Sequence, residues 1–162
     1  MHTELIEYLD GETQLEAYVT WDDTISGPRA GVLVAHDWTG RRDFATSKAD
    51  EMAALGYVGF ALDMYGKGIF GVDGDVEGNS ALMGPLAGNR ASLRARMRSA
   101  LDTLRGLDCV DSERVGAMGY CFGGMCVLEL ARDGADIGGV ISIHGIFTPG
   151  DIPNNDITAQ VL

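Results

Sequence analysis

The 162 residues include 24 acidic and 12 basic side chains, a net charge of -12, which opposes binding to nucleic acid or to an anionic membrane surface through any general field. The length suits one domain with a real core, and no run approaches the roughly 18 apolar residues a membrane helix needs. Three cysteines (Cys109, Cys121, Cys126) show no Cys-x-x-C spacing, and the N-terminus has no basic region followed by an apolar one, so a soluble, cytoplasmic protein with reduced thiols is expected.

His2 falls in a terminus expected to fray. Leu15 to Thr20 alternates and predicts a strand at a sheet edge, after a turn at Asp10-Gly11, and Thr24 to Arg29 predicts a loop. Ala30 to His36 is a continuous apolar run with β-branched members, the sign of a parallel strand buried on both faces. It ends in the polar turn Asp37-Trp38-Thr39-Gly40. Phe44 to Leu55 repeats apolar residues at helical spacing and stops at Gly56, and Tyr57 to Leu62 predicts the next buried strand, ending in Asp63-Met64-Tyr65-Gly66. Strand, helix and strand make one right-handed unit.

Lys67 to Gly88 is glycine-rich without periodicity and is expected to be a long surface excursion, of the kind that often forms a lid. Asn89 is a candidate N-cap for a helix over Arg90 to Leu107, with Leu93, Met97, Ala100, Leu101 and Leu104 on its buried face. A strand over Arg114 to Met118, a helix over Met125 to Arg132 and a strand over Gly139 to Gly145 follow. Phe147 to Asn155 predicts a loop, and Ile157 to Leu162 the beginning of a strand. Alternating buried strands and helices predict an open α/β sheet with its chemistry in the loops at strand C-termini, where Asp37, Asp63, Cys121 and His144 all fall.

Gly119-Tyr120-Cys121-Phe122-Gly123-Gly124 lies between a predicted strand and a predicted helix. In a nucleophile elbow of the form G-x-S-x-G, the central residue is strained and its neighbours two positions away must be small for strand and helix to approach. Gly119 and Gly123 hold those positions around Cys121. A thiolate there would sit at a helix N-terminus, which favours negative charge, and the Phe122 N–H would be the first donor to a developing oxyanion. The alternative is a glycine-rich turn whose cysteine only packs.

Val32 to Gly40, Gly56 to Gly66 and Gly119 to Gly124, in this order, resemble the dienelactone hydrolase family of α/β-hydrolases. The resemblance implies an α/β-hydrolase-like, mostly parallel sheet flanked by helices, over one domain spanning residues 1–162 that is C-terminally incomplete. It implies a Cys-Asp-His triad that opens enol lactones and esters through an acyl thiol, with no metal and no organic cofactor. Cys121 matches the nucleophile, and Phe122 and Trp38 match the positions whose amides form the oxyanion hole. Asp37 falls where relatives often carry a glutamate contacting the resting thiol. Arg90 is the nearest match to an arginine that binds a substrate carboxylate, and Tyr65 could face the substrate.

The remaining arginines of that helix, Arg94 to Arg105, are expected to form a solvated stripe paired with acids. Asp63 is expected to tie down its loop, and His144 and His36 to end strands rather than act as general base. The triad aspartate and histidine would fall beyond Leu162, so the 162 residues alone are expected to turn over little. An exposed sheet edge and apolar face suggest association into homo-oligomers. Two alternatives share features of the elbow. A glutamine-amidotransferase-like protein would need a His-x-Glu pair downstream, which does not occur after Cys121, or an acid close to the thiol, and the Asp-x-Tyr-Gly match at Asp63 to Gly66 favours the hydrolase; a non-catalytic scaffold would have kept the fold and lost the machinery.

Overall fold

The computed structural model describes residues 1–162. In chain order the elements are β1 (His2–Asp10), β2 (Thr13–Trp21), β3 (Arg29–Ala35), α1 (Asp43–Ala54), β4 (Val58–Ala61), α2 (Val76–Gly88), α3 (Arg90–Arg105), β5 (Val110–Tyr120), α4 (Phe122–Arg132), β6 (Gly139–Ile143) and β7 (Gln160–Val161). The strands form one seven-stranded sheet in the order β1-β2-β4-β3-β5-β6-β7. β1 with β2 and β2 with β4 are antiparallel, and all other pairs are parallel. This is the mixed, mostly parallel α/β sheet that the resemblance implied.

The strands that read as continuous apolar runs are the central ones. Leu33, Val34 and Ala35 of β3 and all four residues of β4 are buried, because helices cover both faces there. Leu33 and Ala35 point into a core of 29 residues with α3 and α4, whereas Val34 joins Ala45, Ala49 and Ala61 beneath α1. Asn89 caps α3 as expected, its side chain accepting from the Ser92 N–H at 3.1 Å, and the five apolar residues named for its buried face are all buried. No helix is long and apolar enough to cross a membrane.

Several elements differ from the expectation. The terminus carrying His2 is a nine-residue strand that pairs with β2 along its whole length, so β1 is the sheet edge and β2 is internal. β1 is hard to read because Leu5 and Leu9 point outward and are exposed while Tyr8 points in. Lys67 to Gly88 contains the helix α2. Leu82, Met83, Leu86 and Ala87 pack it on the core, but Gly78, Gly84 and Pro85 interrupt the run and mask the helix in the sequence. The Asp75 side chain caps its first turn through the Gly78 N–H at 3.0 Å, and the buried Asn79 side chain holds both main-chain groups of Val72, at 3.0 and 2.8 Å. α4 begins at Phe122 rather than Met125, directly after the cysteine.

Candidate active site

β3 is where the chain's path across the sheet reverses, with β4 on one side and β5 on the other. Ligands of open α/β sheets bind at such switch points. Ala35 and Gly119 are register partners at the C-terminal ends of β3 and β5, so the turn starting at His36 and the turn at Cys121 leave the sheet side by side.

Cys121 has φ +54° and ψ -111°, one of two non-glycine residues with positive φ. Such backbone costs of the order of 1–3 kcal/mol and persists only when its surroundings hold it. Here the Cys121 N–H donates to the Ile143 carbonyl of the neighbouring strand at 3.0 Å, and its carbonyl accepts from Met125 N–H at 3.3 Å. The flanking glycines are required by close approach. A Cβ on Gly119 would collide with the Gly123 carbonyl, and one on Gly123 would collide with the Ala35 carbonyl and lie 2.6 Å from that of His36. The thiol is half-buried and starts α4, so the Phe122 N–H is an amide that the helix leaves without an internal partner.

Across from it, the Trp38 N–H makes no hydrogen bond within the chain. Asp37 shapes its own turn: its Oδ1 accepts from the Thr39 N–H at 2.7 Å and from the Thr39 hydroxyl at 2.6 Å. It is the turn-capping role a loop aspartate takes by default, and no hydrogen bond links Asp37 to Cys121. The structure therefore brings Cys121 and Phe122 together with Asp37 and Trp38 at the ends of adjacent strands.

Tyr65 sits at the end of β4 and is only 8% exposed. Its hydroxyl donates to the Trp38 carbonyl at 2.9 Å, and its ring stacks on Phe122 at 5.8 Å between centroids. Burial pushes its hydroxyl pKa up, with Cys126 and Asp37 adding negative potential. Asp63 does tie down this loop, its buried carboxylate accepting from the N–H groups of Tyr65 (2.8 Å), Gly66 (3.0 Å) and Glu16 (3.3 Å).

Neither candidate histidine meets the thiol. His36 is buried, its Nε2 accepting from the Met64 N–H at 3.1 Å and its Nδ1 bonded to the Asp37 carbonyl. This pattern needs the neutral imidazole with its proton on Nδ1, and burial holds the His36 pKa below its usual value, against the bond to Asp37. His144 follows β6, which stops at Ile143, and is exposed with φ +43°.

Arg90, at the start of α3, is folded inward against Met125, donates to the Thr148 carbonyl at 3.3 Å and leaves its buried Nε without a hydrogen bond. The thiol of Cys126 nearby is driven up by burial, with the Arg90 guanidinium pulling the other way. Arg94, Arg96 and Arg98 pair with acids as expected, but Arg94 is buried rather than solvated. Arg94 is 5% exposed and donates through Nε to Glu129 at 2.9 Å, to the Pro153 carbonyl at 2.8 Å and to Asn154 at 2.7 Å. Arg132 reaches the same carboxylate at 2.8 Å and the Phe147 carbonyl at 2.7 Å, while Arg96 and Arg98 pair with Asp10 and Asp133. Glu129 is fully buried. The signal was one acid in the apolar run Val127-Leu128-Glu129-Leu130-Ala131, on the face that α3 covers.

No three His, Cys, Asp or Glu side chains come together in a way that could hold a metal ion. A concavity of about 670 Å³ lies away from the cysteine, on the sheet face beside α1, lined by residues such as Val32, Met52, Leu55, Met118 and Ile141.

Solved structures resemble this one closely. A protein called m3DLH superposes with a TM-score of 0.92 at 38% identity, over 99% of this chain and 66% of its own. A dienelactone hydrolase-like promiscuous phosphotriesterase from metagenomic libraries superposes with a TM-score of 0.87 at 34% identity, again over 99% of this chain and 66% of that one. An uncharacterized Caenorhabditis elegans protein, K02A2.1, is 47% identical over 58 residues, 35% of this chain and 37% of that protein. The chain thus spans about two-thirds of the solved relatives and about a third of the C. elegans one. The cysteine elbow, the sheet order around it and a sequence match over residues 15–161 lead to one conclusion: the chain belongs to the dienelactone hydrolase family.

Proposed function

We propose that this chain carries the nucleophilic centre of a hydrolase that opens a small ester or lactone, of the dienelactone (carboxymethylenebutenolide) type, through an acyl thiol on Cys121. The observation that carries the proposal is the cysteine's strained backbone, with φ +54°, at the N-terminus of α4, with the unbonded Phe122 N–H next in the chain and the unbonded Trp38 N–H in the turn after the adjacent strand. In this reading the Cys121 thiolate attacks the carbonyl carbon. A C–S bond forms, the carbonyl oxygen takes the negative charge, and the Phe122 and Trp38 N–H groups receive it. Collapse breaks the C–O bond and expels the alkoxide or enolate, which takes a proton from solvent, and water later releases the acid and regenerates the thiol. No metal or organic cofactor is needed. Asp37 serves by fixing the turn that presents Trp38, and Arg90 offers a guanidinium to a substrate carboxylate.

Because no imidazole or carboxylate is hydrogen-bonded to the thiol, nothing in the 162 residues positions the deacylating water. Acylation is therefore expected to outrun release. The same reading expects a cytoplasmic enzyme that binds a small molecule rather than nucleic acid, with copies able to associate through the apolar sheet face. The test is intact-mass analysis after mixing with p-nitrophenyl acetate, with peptide mapping of the adduct. One acetyl group on Cys121, absent from Cys121→Ala, is expected; an unmodified Cys121 would overturn the proposal.

A further inference from the structure

Every polar main-chain group from the Asp37 carbonyl to the Gly40 N–H is engaged within the protein, except one. The Asp37 carbonyl is held by His36 Nδ1 and, at 3.4 Å, by the Gly40 N–H. The Trp38 carbonyl accepts from the Tyr65 hydroxyl, the Thr39 N–H donates to Asp37, and the Thr39 carbonyl accepts from the Gly71 N–H at 2.8 Å. The exception is the Trp38 N–H. We propose that His36 and Tyr65 are positioning residues, which set the direction of the Trp38 amide for an oxyanion without touching substrate themselves. The proposal rests on the acyl-thiol reading and deepens it.

The geometry of the peptide unit makes the link. The Asp37 carbonyl and the Trp38 N–H belong to the same planar unit, which is trans, so they point in opposite directions. A donor that grips the carbonyl from the core side therefore aims the N–H away from the core. His36 is that donor. Its other nitrogen is anchored on the Met64 N–H, so the ring cannot turn without losing both bonds. The Tyr65 hydroxyl fixes the next peptide unit through the Trp38 carbonyl, which closes off rotation about Trp38 from the other side.

The same rings couple the two amides to each other. The His36 and Tyr65 rings meet edge to face at 4.9 Å, and Tyr65 stacks on Phe122 with an interplanar angle of 20°. Phe122 supplies the other amide. Three rings from the ends of three elements thus set the spacing of two N–H groups, and Tyr65 and His36 are only 8% and 1% exposed. Asp63, through the Tyr65 and Gly66 N–H groups, keeps the tyrosine's own backbone in place.

The experiment compares two reactions of the same sulfur. Acylation of Cys121 by p-nitrophenyl acetate, followed as p-nitrophenolate release with protein in excess, passes through an oxyanion; alkylation by iodoacetamide does not. Tyr65→Phe keeps the ring stack and removes the bond to Trp38. Acylation should fall about tenfold, less than the loss of a whole oxyanion donor, while the alkylation rate stays within about twofold of the parent. Equal acylation rates, or a parallel fall in both reactions, would overturn the assignment. His36→Gln, which keeps an acceptor for Met64 and withdraws the donor from Asp37, carries the same comparison should Tyr65→Phe lose its native circular dichroism spectrum. If the parent chain itself is not acylated at Cys121, the acyl-thiol chemistry fails first and this assignment falls with it.

Discussion

Replacing Glu129 by alanine would remove the one negative charge that three guanidiniums face. Glu129 is fully buried, and Arg94, Arg132 and Arg90 approach it at 2.8, 2.8 and 3.9 Å with side-chain exposures of only 6%, 16% and 10%. Removing one partner of a buried ion pair costs about 3–5 kcal/mol, chiefly because the other charge stays desolvated. The lower end applies here. Arg94 would keep its bonds to Pro153 and Asn154, Arg132 its bond to Phe147 and Arg90 its bond to Thr148. A loss of about 3 kcal/mol corresponds, for a domain of this size, to a fall in Tm of about 6–12 °C. Differential scanning calorimetry of Glu129→Ala and of the double variant Glu129→Leu/Arg94→Met measures it. The double variant should recover only part of the loss, since it removes the Arg94 charge but also frees the Pro153 carbonyl and leaves Arg90 and Arg132 without the carboxylate. A single-variant loss below about 1 kcal/mol would refute the reasoning, because it would mean that the carboxylate does not compensate buried charge.

Other outcomes follow from the site. Gly123→Ala would push a methyl group into the carbonyls of Ala35 and His36. Both belong to backbone that cannot swing aside, so a loss of about 3 kcal/mol is expected, and a thermal melt within about 1 kcal/mol of the parent would contradict the close approach. His36 has its pKa lowered in the fold by burial. The unfolded chain therefore binds this proton first on acidification, and the stability that neutral His36 provides is present above about pH 6.5 and lost as pH falls toward the folded value. His36→Gln should flatten the slope of stability against pH below 6.5; an unchanged slope would count against it. Burial raises the pKa of Cys109 and that of the fully buried Cys126. Brief iodoacetamide treatment of the native protein at neutral pH should therefore label Cys121 first and leave Cys126 unmodified, which peptide mapping checks.

Parts of this architecture can be read along the chain and parts cannot, and the division follows the range of the forces involved. β3 and β4 are legible because burial on both faces writes an uninterrupted apolar run into consecutive residues. α3 is legible because the Asn89 cap and the spacing of Leu93, Met97, Leu101 and Leu104 are both local. β1 is not, because a strand at the rim buries one face partially and owes its existence to pairing with β2. α2 escapes notice because Gly78, Gly84 and Pro85 break up the run whose Leu82, Met83 and Leu86 pack on the core, and because Asp75 and Asn79, which also fix it, are polar and act on backbone. At the site, Cys121 announces itself through two glycines in five residues. Arg94 and Glu129 lie 35 residues apart, as charges that look solvated until two helices close over them. The contacts of Tyr65 with Trp38 and Phe122 likewise join strand ends that only the sheet brings together.

The arginines around Glu129 also determine how one part of the molecule would come loose. Phe147, Thr148 and Pro153 have no regular secondary structure around them, yet each lends its carbonyl to a guanidinium on α3 or α4. Their attachment is thus made of the interaction that a dissolved guanidinium cation can imitate. Guanidinium chloride would compete for those carbonyls and for the Glu129 carboxylate at once, whereas urea, which also donates to carbonyls, carries no charge with which to displace the arginines from Glu129. Residues 147–153 would then loosen earlier in guanidinium chloride than in urea, while main-chain bonds from Asn155 to Arg132 and from β7 to β6 hold the end of the segment in both.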